Sequence, residues 1–198
     1  DSYRLAEKKI KIEQGSDEMR VILPSRTAQE IGRILVLTKA VEAKEGVRIV
    51  LSENQIVVRY NGAELVSRLV EGKYPDYTQI IPKEFKTRAE LSASQLTKEV
   101  KAASLFSTTG VNAVTFSFEP SKSIVGVKSL STQTGEYSSE ISSEIDGGEN
   151  SILLNHRYVL DGLNNMSSDS MLFSVVSPDS PCVFSCKDDD SYLYIVMP

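Results

Sequence analysis

The chain has 198 residues, of which 40% are hydrophobic and 25% charged, and its formal net charge at pH 7 is −5. This length suffices for one large domain or two small ones with hydrophobic cores. No apolar run approaches the roughly 20 residues of a membrane-spanning helix, so the composition excludes such a helix and indicates a globular protein. The net charge argues against nucleic-acid binding unless the basic residues share one surface. Acidic residues concentrate at 136–149 and 188–190 and several basic residues fall on predicted helices, which predicts one acidic and one basic surface.

The first predicted elements are a strand at 3–13, with Leu5, Ile10 and Ile12 as its apolar positions, and then a group of five elements. This group begins with a strand at 19–23 and a helix that starts near Ser25. Three strands follow, and Asn61-Gly62 provides a hairpin turn between the last two. We predict these three strands at 47–51, 56–60 and 64–70.

A second group repeats the same order of elements. A strand at 86–91 leads into Ser92 to Gln95, which form a capping box at the start of a helix that runs to about Phe106. Strands follow at 113–118, 124–130 and 136–145. In the first of these strands the apolar side chains alternate toward a core, as expected for period two; they are Val114, Phe116 and Phe118.

A third group opens with a strand at 151–154, and Asn155 caps a helix that runs to about Met166. Strands at 171–176, 181–186 and 192–197 complete it. The helix starts are nearly evenly spaced, which indicates a duplicated β-α-β-β-β unit and an α+β fold. One such unit cannot bury its own sheet, so we expect two units to pack with their helices together and their sheets outside. This predicts a partial domain at 1–82 and a complete one at 83–198.

Residues that would support catalysis or bind a metal are sparse. His156 is the one histidine and is expected at the surface where a helix begins, so neither a histidine metal site nor a Ser-His-Asp triad is predicted. Gly147-Gly148 is typical of a turn rather than of a phosphate-binding loop. The acidic run 188–190 is interpreted as a turn, with a cation site as the alternative. We therefore predict a protein that is not an enzyme and uses no cofactor.

Two cysteines, Cys182 and Cys186, are four residues apart in a predicted strand. This spacing places them on one face about 13 Å apart, which is too far for a disulfide bond. The sequence therefore predicts two reduced, half-buried thiols, with a redox or metal-binding pair as the alternative.

Six segments of the chain carry a resemblance to a known family. They are DSYRLA (1–6), LVEGKYPDY (69–77), IPKEF (81–85), AASLFS (102–107), NHRYVLD (155–161) and YIVMP (194–198). In this order they resemble the bacterial DNA polymerase III beta subunit, the beta sliding clamp family. The resemblance implies a DNA clamp fold, with helices on one face and antiparallel sheets on the other. It also implies that the chain holds the second half of the middle clamp domain and the whole third domain.

The family resemblance implies a non-catalytic processivity factor. Such a subunit encircles duplex DNA without reading its sequence and forms a homodimeric ring when full length. Through short linear motifs it would tether the DNA polymerase III alpha subunit, the clamp loader, other polymerases and mismatch-repair proteins. No cofactor, metal or membrane is implied. The expected location is the bacterial cytoplasm, associated with the nucleoid, and the N-terminal residues show no secretory signal. The alternative is a protein-interaction scaffold that does not bind DNA.

Two further residue sets follow from the resemblance. The side chains expected to face DNA, or alternatively to be ordinary surface charges, are Arg26, Arg33, Lys98, Lys101 and Arg157. The set expected at the dimer interface is Leu105, Phe106, Glu136 and Glu140, with the first two as core residues in the alternative. In the family this interface pairs the third domain with the first domain of the other protomer. Because no first domain is present, this chain alone is not expected to close a ring.

The resemblance also implies a peptide-binding pocket between the second and third domains. Its residues are Ser2, Tyr3, Arg4, Leu5, Pro75, Gln79, Ile80, Asn155, Tyr158, Ile195, Val196, Met197 and Pro198. Five of them would form an apolar floor: Leu5, Pro75, Ile80, Ile195 and Met197. Arg4, Asn155 and Tyr158 would form a polar rim. The pattern departs from the family at Gln79, where a basic residue is common, and at Pro198, beyond which the family has a few more residues. The alternative is that this set only seals the domain junction.

Overall fold

A computed structural model describes residues 1–13, 15, 18–38, 46–108 and 110–198. The chain divides into two compact units: the first contains residues 1–12 and 77–198, and the second contains residues 13–76. Within the described residues the helices are α1 (Ser25–Thr38), α2 (Ala93–Ser104) and α3 (His156–Leu163). The strands of the same part of the chain are β1 (Arg4–Lys8), β2 (Arg48–Leu51), β3 (Gln55–Tyr60), β4 (Ala63–Arg68), β5 (Thr87–Ser92), β6 (Ala113–Glu119), β7 (Ile124–Ser131), β8 (Gly135–Ser142), β9 (Glu144–Gly147), β10 (Asn150–Asn155), β11 (Ser170–Val175), β12 (Cys182–Cys186) and β13 (Tyr192–Val196).

The second unit is an antiparallel sheet, β2-β3-β4, with α1 packed on β3 and β4. The predicted hairpin turn is confirmed, because Asn61 and Gly62 have φ angles of 48° and 78°, as a type I′ turn requires. The strand predicted at 19–23 is wrong. In that segment the structure shows one isolated bridge, in which Ile22 pairs with Val70. β4 ends at Arg68, so the segment has no regular strand beside it to extend the pairing.

The first unit contains two sheets whose strands are exchanged between the predicted repeats. One sheet has the order β1-β13-β12-β11-β5-β9 and the other β10-β6-β7-β8. The strand before each helix therefore pairs in the sheet of the other repeat: β5 pairs with β11, and β10 pairs with β6. The expectation that each repeat builds its own sheet is wrong, although α2 and α3 do pack together. The reason is that each helix carries the chain from one sheet to the other, so the strands before and after it lie in different sheets.

The strand predicted at 136–145 is two strands, β8 and β9, in different sheets. The break lies at Ser143, whose amide donates to the Ser123 carbonyl at 2.9 Å. Its hydroxyl donates to the Glu90 carbonyl at 2.8 Å, and the residue is buried. The amide bond continues the β7–β8 register by one residue, whereas the hydroxyl bond joins Ser143 to β5 of the other sheet.

β1 is shorter than the strand predicted at 3–13, because its partner is short. β13 begins at Tyr192, which pairs with Lys8, so the chain after Lys8 has little strand left to pair with. Ile10 and Ile12, two of the three apolar positions of the predicted strand, lie outside β1 and are 76% and 71% exposed.

The core of the first unit lies between its two sheets and beneath α2 and α3. The predicted alternation in β6 is confirmed, because Val114, Phe116 and Phe118 are all buried. Phe173 occupies the centre. Its ring meets the rings of Phe116 and Phe118 edge-on at centroid distances of 5.4 and 5.0 Å and lies 4.3 Å from that of Phe184. Such aromatic pairs stabilise a core beyond the area they bury.

Ser92 and Asn155 are confirmed as helix caps, although no bond from the Gln95 side chain back to the Ser92 amide, the other half of a capping box, is present among the described residues. Ser92 Oγ accepts from the Gln95 amide at 3.1 Å, and Asn155 Oδ1 accepts from the Arg157 amide at 2.9 Å. At the first cap the sequence missed Asp169, which accepts from the Ser94 amide at 2.8 Å and from the Ser92 hydroxyl. These hydrogen bonds lower the pKa of the Asp169 carboxyl, the one from the Ser94 amide most.

Three side chains are more buried than the sequence indicated. Cys182 and Cys186 are free thiols, as predicted, but they are fully rather than half buried. Burial raises the pKa of the Cys182 thiol well above its usual range. His156 is 8% exposed and is not a surface residue, because it begins α3 on the side that faces the core. Among the described helices, none combines the length and the apolar character needed to cross a membrane.

Candidate functional site

The predicted pocket residues gather where β1 pairs with β13, at the end of the larger sheet. Leu5 is opposite Ile195, and the Met197 amide donates to the Tyr3 carbonyl at 2.8 Å. Side chains alternate along a strand, so Leu5 and Ile195 share one face of the sheet while Arg4 and Val196 share the other. At this strand end, the face with Leu5 and Ile195 is called the apolar face, and the opposite face, with Arg4, is turned toward α3 and the core.

The apolar face carries Leu5, which is half-buried, and Ile195, which is 1% exposed. Glu7 lies on the same face and accepts a hydrogen bond from the Tyr77 hydroxyl, which brings the 3-10 helix Tyr77–Ile80 to this side of β1. That bond, with a smaller effect from Lys9, lowers the pKa of the Glu7 carboxyl. Ile80 is 44% exposed.

On the other face, Arg4 packs against α3. Its guanidinium carbon lies 4.6 Å from the centroid of the Tyr158 ring, and its Nη1 donates to Asp161. The ring of Tyr3 stacks on that of Tyr158 with centroids 6.0 Å apart. The Tyr194 hydroxyl donates to the Tyr158 carbonyl at 2.8 Å, which fixes this turn of α3 on the sheet.

The structure brings most of the predicted set together within the first unit. Asn155 caps α3, Met197 is half-buried, and Ser2, Gln79 and Pro198 are exposed. Val196 and Ile195 are both buried, but Val196 alone of the two belongs to the core between the sheets, on the face opposite Leu5. Pro75 belongs to the second unit.

A groove of about 580 Å³, which the sequence does not predict, lies on the α3 side of β1. Two buried tyrosines, Tyr192 and Tyr194, form part of its wall, and Arg4 and Asp161 carry the charge. Asp161 was within a segment that carries the family resemblance, yet no role was predicted for it. Its position three residues after Tyr158, and so on the same side of a helix, was the available signal.

The five basic side chains predicted to face DNA are all exposed. Lys98 and Lys101 lie on α2 opposite its buried residues, and Arg157 lies on α3. Arg26 and Arg33 lie on α1 in the second unit, where Arg33 is 3.9 Å from Glu30.

The predicted interface residues lie near β8, which is an edge strand of its sheet. Glu136 and Glu140 are exposed on this strand. Leu105 is 73% exposed, so it is not a core residue, whereas Phe106 is half-buried and stacks on Tyr137 with centroids 5.8 Å apart. The sequence missed one exposed apolar neighbour, Leu130, which is 72% exposed and opposite Glu136.

No cluster of three or more potential metal ligands is present in the part of the chain that the structure describes. In the acidic turn 188–190, Asp189 accepts hydrogen bonds from the Ser191 amide, Ser167 and Lys8. Hydrogen bonds from Ser191 contribute most to holding its pKa well below the usual range.

Comparison with known proteins identifies the family. Residues 1–76 match the model of the DNA polymerase III beta subunit central domain, and residues 78–198 match that of its C-terminal domain. The chain belongs to the DNA polymerase III beta subunit family. The beta sliding clamp of Staphylococcus epidermidis is 27% identical in an alignment of 199 positions that covers 100% of this chain and 51% of that protein. The chain therefore spans about half the length of the curated relatives it matches.

Solved sliding clamps confirm the α+β clamp fold. The Bacillus subtilis clamp superposes with a TM-score of 0.91 at 27% identity, over 100% of this chain and 51% of that one. The clamp of Bartonella birtlesii, solved bound to griselimycin, gives 0.89 at 26% identity, over 100% of this chain and 52% of that one.

Proposed function

We propose that this chain is the C-terminal half of a bacterial DNA sliding clamp. It would contain part of the central domain, residues 1–82, and the C-terminal domain, residues 83–198. In its full-length form it would close as a homodimeric ring around duplex DNA in the cytoplasm, at the nucleoid. It would act without catalysis and without a cofactor. The observation that supports this most strongly is that consecutive models of one clamp family cover 1–76 and 78–198.

The proposed partner site is the junction of β1 and β13. It would receive short linear motifs from the polymerase III alpha subunit, the clamp loader, other polymerases and mismatch-repair proteins. Leu5, Ile80, Ile195 and Met197 would supply the apolar floor. Methionine suits a pocket with several ligands because its side chain adapts its shape. Val196 would support the floor from the core side.

The pocket is tested by binding griselimycin, the ligand of the Bartonella birtlesii clamp. Replacement of both Leu5 and Met197 by alanine removes two half-buried anchors, and loss of such anchors costs about 2 kcal/mol or more each in other interfaces. If the two losses add to about 4 kcal/mol, calorimetry should show a roughly thousandfold loss of affinity with little change in folding. The control is Leu153→Ala, which removes an apolar side chain that is 52% exposed on β10. Unchanged binding by the double variant would refute the pocket.

The DNA-facing surface is proposed to consist of Arg26, Arg33, Lys98, Lys101 and Arg157. Contacts of these cations with phosphate would hold duplex DNA loosely and independently of sequence. In the full-length protein, changing all five to glutamine should shorten retention on circular DNA and flatten its salt dependence, because each lost phosphate contact removes a released counterion. A matched control changes five exposed cations outside the helices: Arg48, Arg68, Lys73, Lys83 and Lys128. Equal retention by both variants would favour the interaction scaffold.

The proposed dimer interface uses the edge strand β8 with Leu105, Phe106, Glu136 and Glu140. An edge strand offers unpaired backbone groups to another chain, and the exposed Leu105 adds apolar area beside it. In the full-length protein, Leu105→Asp together with Glu136→Lys should convert the dimer to a monomer in light scattering. The 198-residue chain alone should be monomeric. A stable ring formed by this chain would contradict the assignment.

A further inference from the structure

Arg4 is held over an aromatic ring by two carboxylates. Its Nε donates to Asp1 at 3.2 Å and its Nη1 donates to Asp161, while its guanidinium carbon lies 4.6 Å from the centre of the Tyr158 ring. Asp161 and Tyr158 are three residues apart on α3, so both face the same strand. Hydrogen bonds to Asp1 and Asp161 therefore position the guanidinium over the Tyr158 ring.

Tyr158 in turn positions Tyr3. The two rings stack with 6.0 Å between centroids and 22° between planes, and the Tyr3 carbonyl accepts from the Met197 amide. Tyr3 is thus fixed by its backbone to the pocket residue Met197 and by its ring to α3. Its side chain is 57% exposed, so little else restrains it.

We infer that Asp161 is a positioning residue for the peptide pocket, an inference that rests on the proposed function. In this role Asp161 acts through Arg4 and not by contact with the peptide. It holds Arg4 on Tyr158, the ring on which Tyr3 stacks, while the Tyr3 carbonyl accepts from the Met197 amide. Without Asp161, the Tyr3 side chain must be ordered when the ligand binds, and that ordering weakens binding.

Griselimycin binding to the 198-residue chain tests this inference. We expect Asp161→Ala to weaken affinity about tenfold, in line with the loss of one charge-assisted contact and the order it imposes. Asp161→Glu should restore most of the affinity because it keeps the carboxylate. The matched control is Asp179→Ala, which removes the same charge from an exposed turn of the same unit. Its affinity should equal that of the parent.

Two further measurements separate positioning from a general structural role. With 3-fluorotyrosine at position 158, the fluorine resonance should shift in Asp161→Ala and stay unchanged in Asp179→Ala. In a Tyr3→Ala background, Asp161→Ala should cause no additional loss of affinity, because both changes interrupt the same chain of contacts. Parent-like binding by Asp161→Ala, or the full tenfold loss when Tyr3 is already absent, would overturn this inference alone. Failure of the parent to bind griselimycin would overturn the proposed pocket and this inference with it.

Discussion

The contact between α3 and β13 makes Gly162 a position where a single added methyl group should be strongly destabilising. An ideal Cβ at Gly162 would be 2.8 Å from Cγ of Tyr194 and closer still to two other atoms of that ring. The ring is buried, and its hydroxyl is bonded to the Tyr158 carbonyl one turn earlier. The collision involves Cγ, the atom that attaches the ring to the rest of the side chain, so a rotation of the ring cannot relieve it. The helix itself must therefore move away from the sheet.

The magnitude follows from three contributions. Overpacking of a tight contact costs about 1–3 kcal/mol. The shift also weakens the Tyr194 hydrogen bond, which contributes about 1 kcal/mol. Against this, alanine is favoured over glycine in a helix by about 1 kcal/mol. We therefore expect Gly162→Ala to lower the free energy of unfolding of the first unit by about 1–3 kcal/mol.

Urea unfolding, monitored by hydrogen exchange of the α3 amides, measures the change in the first unit separately from the second. The matched control is Gly32→Ala in α1, where the new methyl group meets no atom within 4 Å. The control should stabilise the second unit by up to about 1 kcal/mol. If Gly162→Ala is as stable as the parent, or is stabilised like the control, the proposed packing of α3 on Tyr194 is wrong.

Three other changes test the same structure. Phe173→Ala should lower the unfolding free energy of the first unit by about 3–5 kcal/mol in urea titrations, because it empties the centre of the aromatic core. Gly147 has φ 100° and backbone atoms of Lys86 within 3 Å of an added Cβ, so Gly147→Ala should speed hydrogen exchange in β9, whereas Gly148→Ala, with open space around its Cβ, should not. Burial, and to a smaller extent the charge of Arg157, lowers the pKa of His156 in the folded state. As the pH falls, His156 is therefore protonated in the unfolded state before it is protonated in the folded state. Stability should therefore fall as the pH drops below about 6.5, the usual pKa of histidine, and His156→Gln should remove that slope.

In the candidate site, the family pattern identified some residues correctly and misassigned or missed others. The pattern selected Tyr3, Arg4, Leu5, Tyr158 and Met197, and the structure brings these residues together at one strand end. It included Val196, whose side chain is in the core, since a motif carries no information on which face a residue occupies. The pattern did not assign a role to Asp161, because that residue acts through Arg4 and Tyr158 rather than at the pocket surface.

Local features of the fold were determined by the sequence, because they depend on neighbours along the chain. Ser92 and Asn155 cap helices with their own side chains, and Asn61-Gly62 adopts the left-handed turn that those residues favour. The alternation from Val114 to Phe118 predicted the buried face of β6 correctly. Period-two burial is a property of the strand itself.

Only the tertiary structure decided which strands pair, because hydrogen bonds between strands depend on residues far apart in sequence. β5 and β10 each joined the sheet of the other repeat, and the predicted strand at 136–145 divided at Ser143 between two sheets. β1 ends at Lys8 because Lys8 pairs with Tyr192, the first residue of β13, and β13 has no further residue for the chain to pair with. His156 is buried because the start of α3 places it on the side of the helix that faces the core. The surrounding sequence does not show which side of a packed helix its first residue occupies.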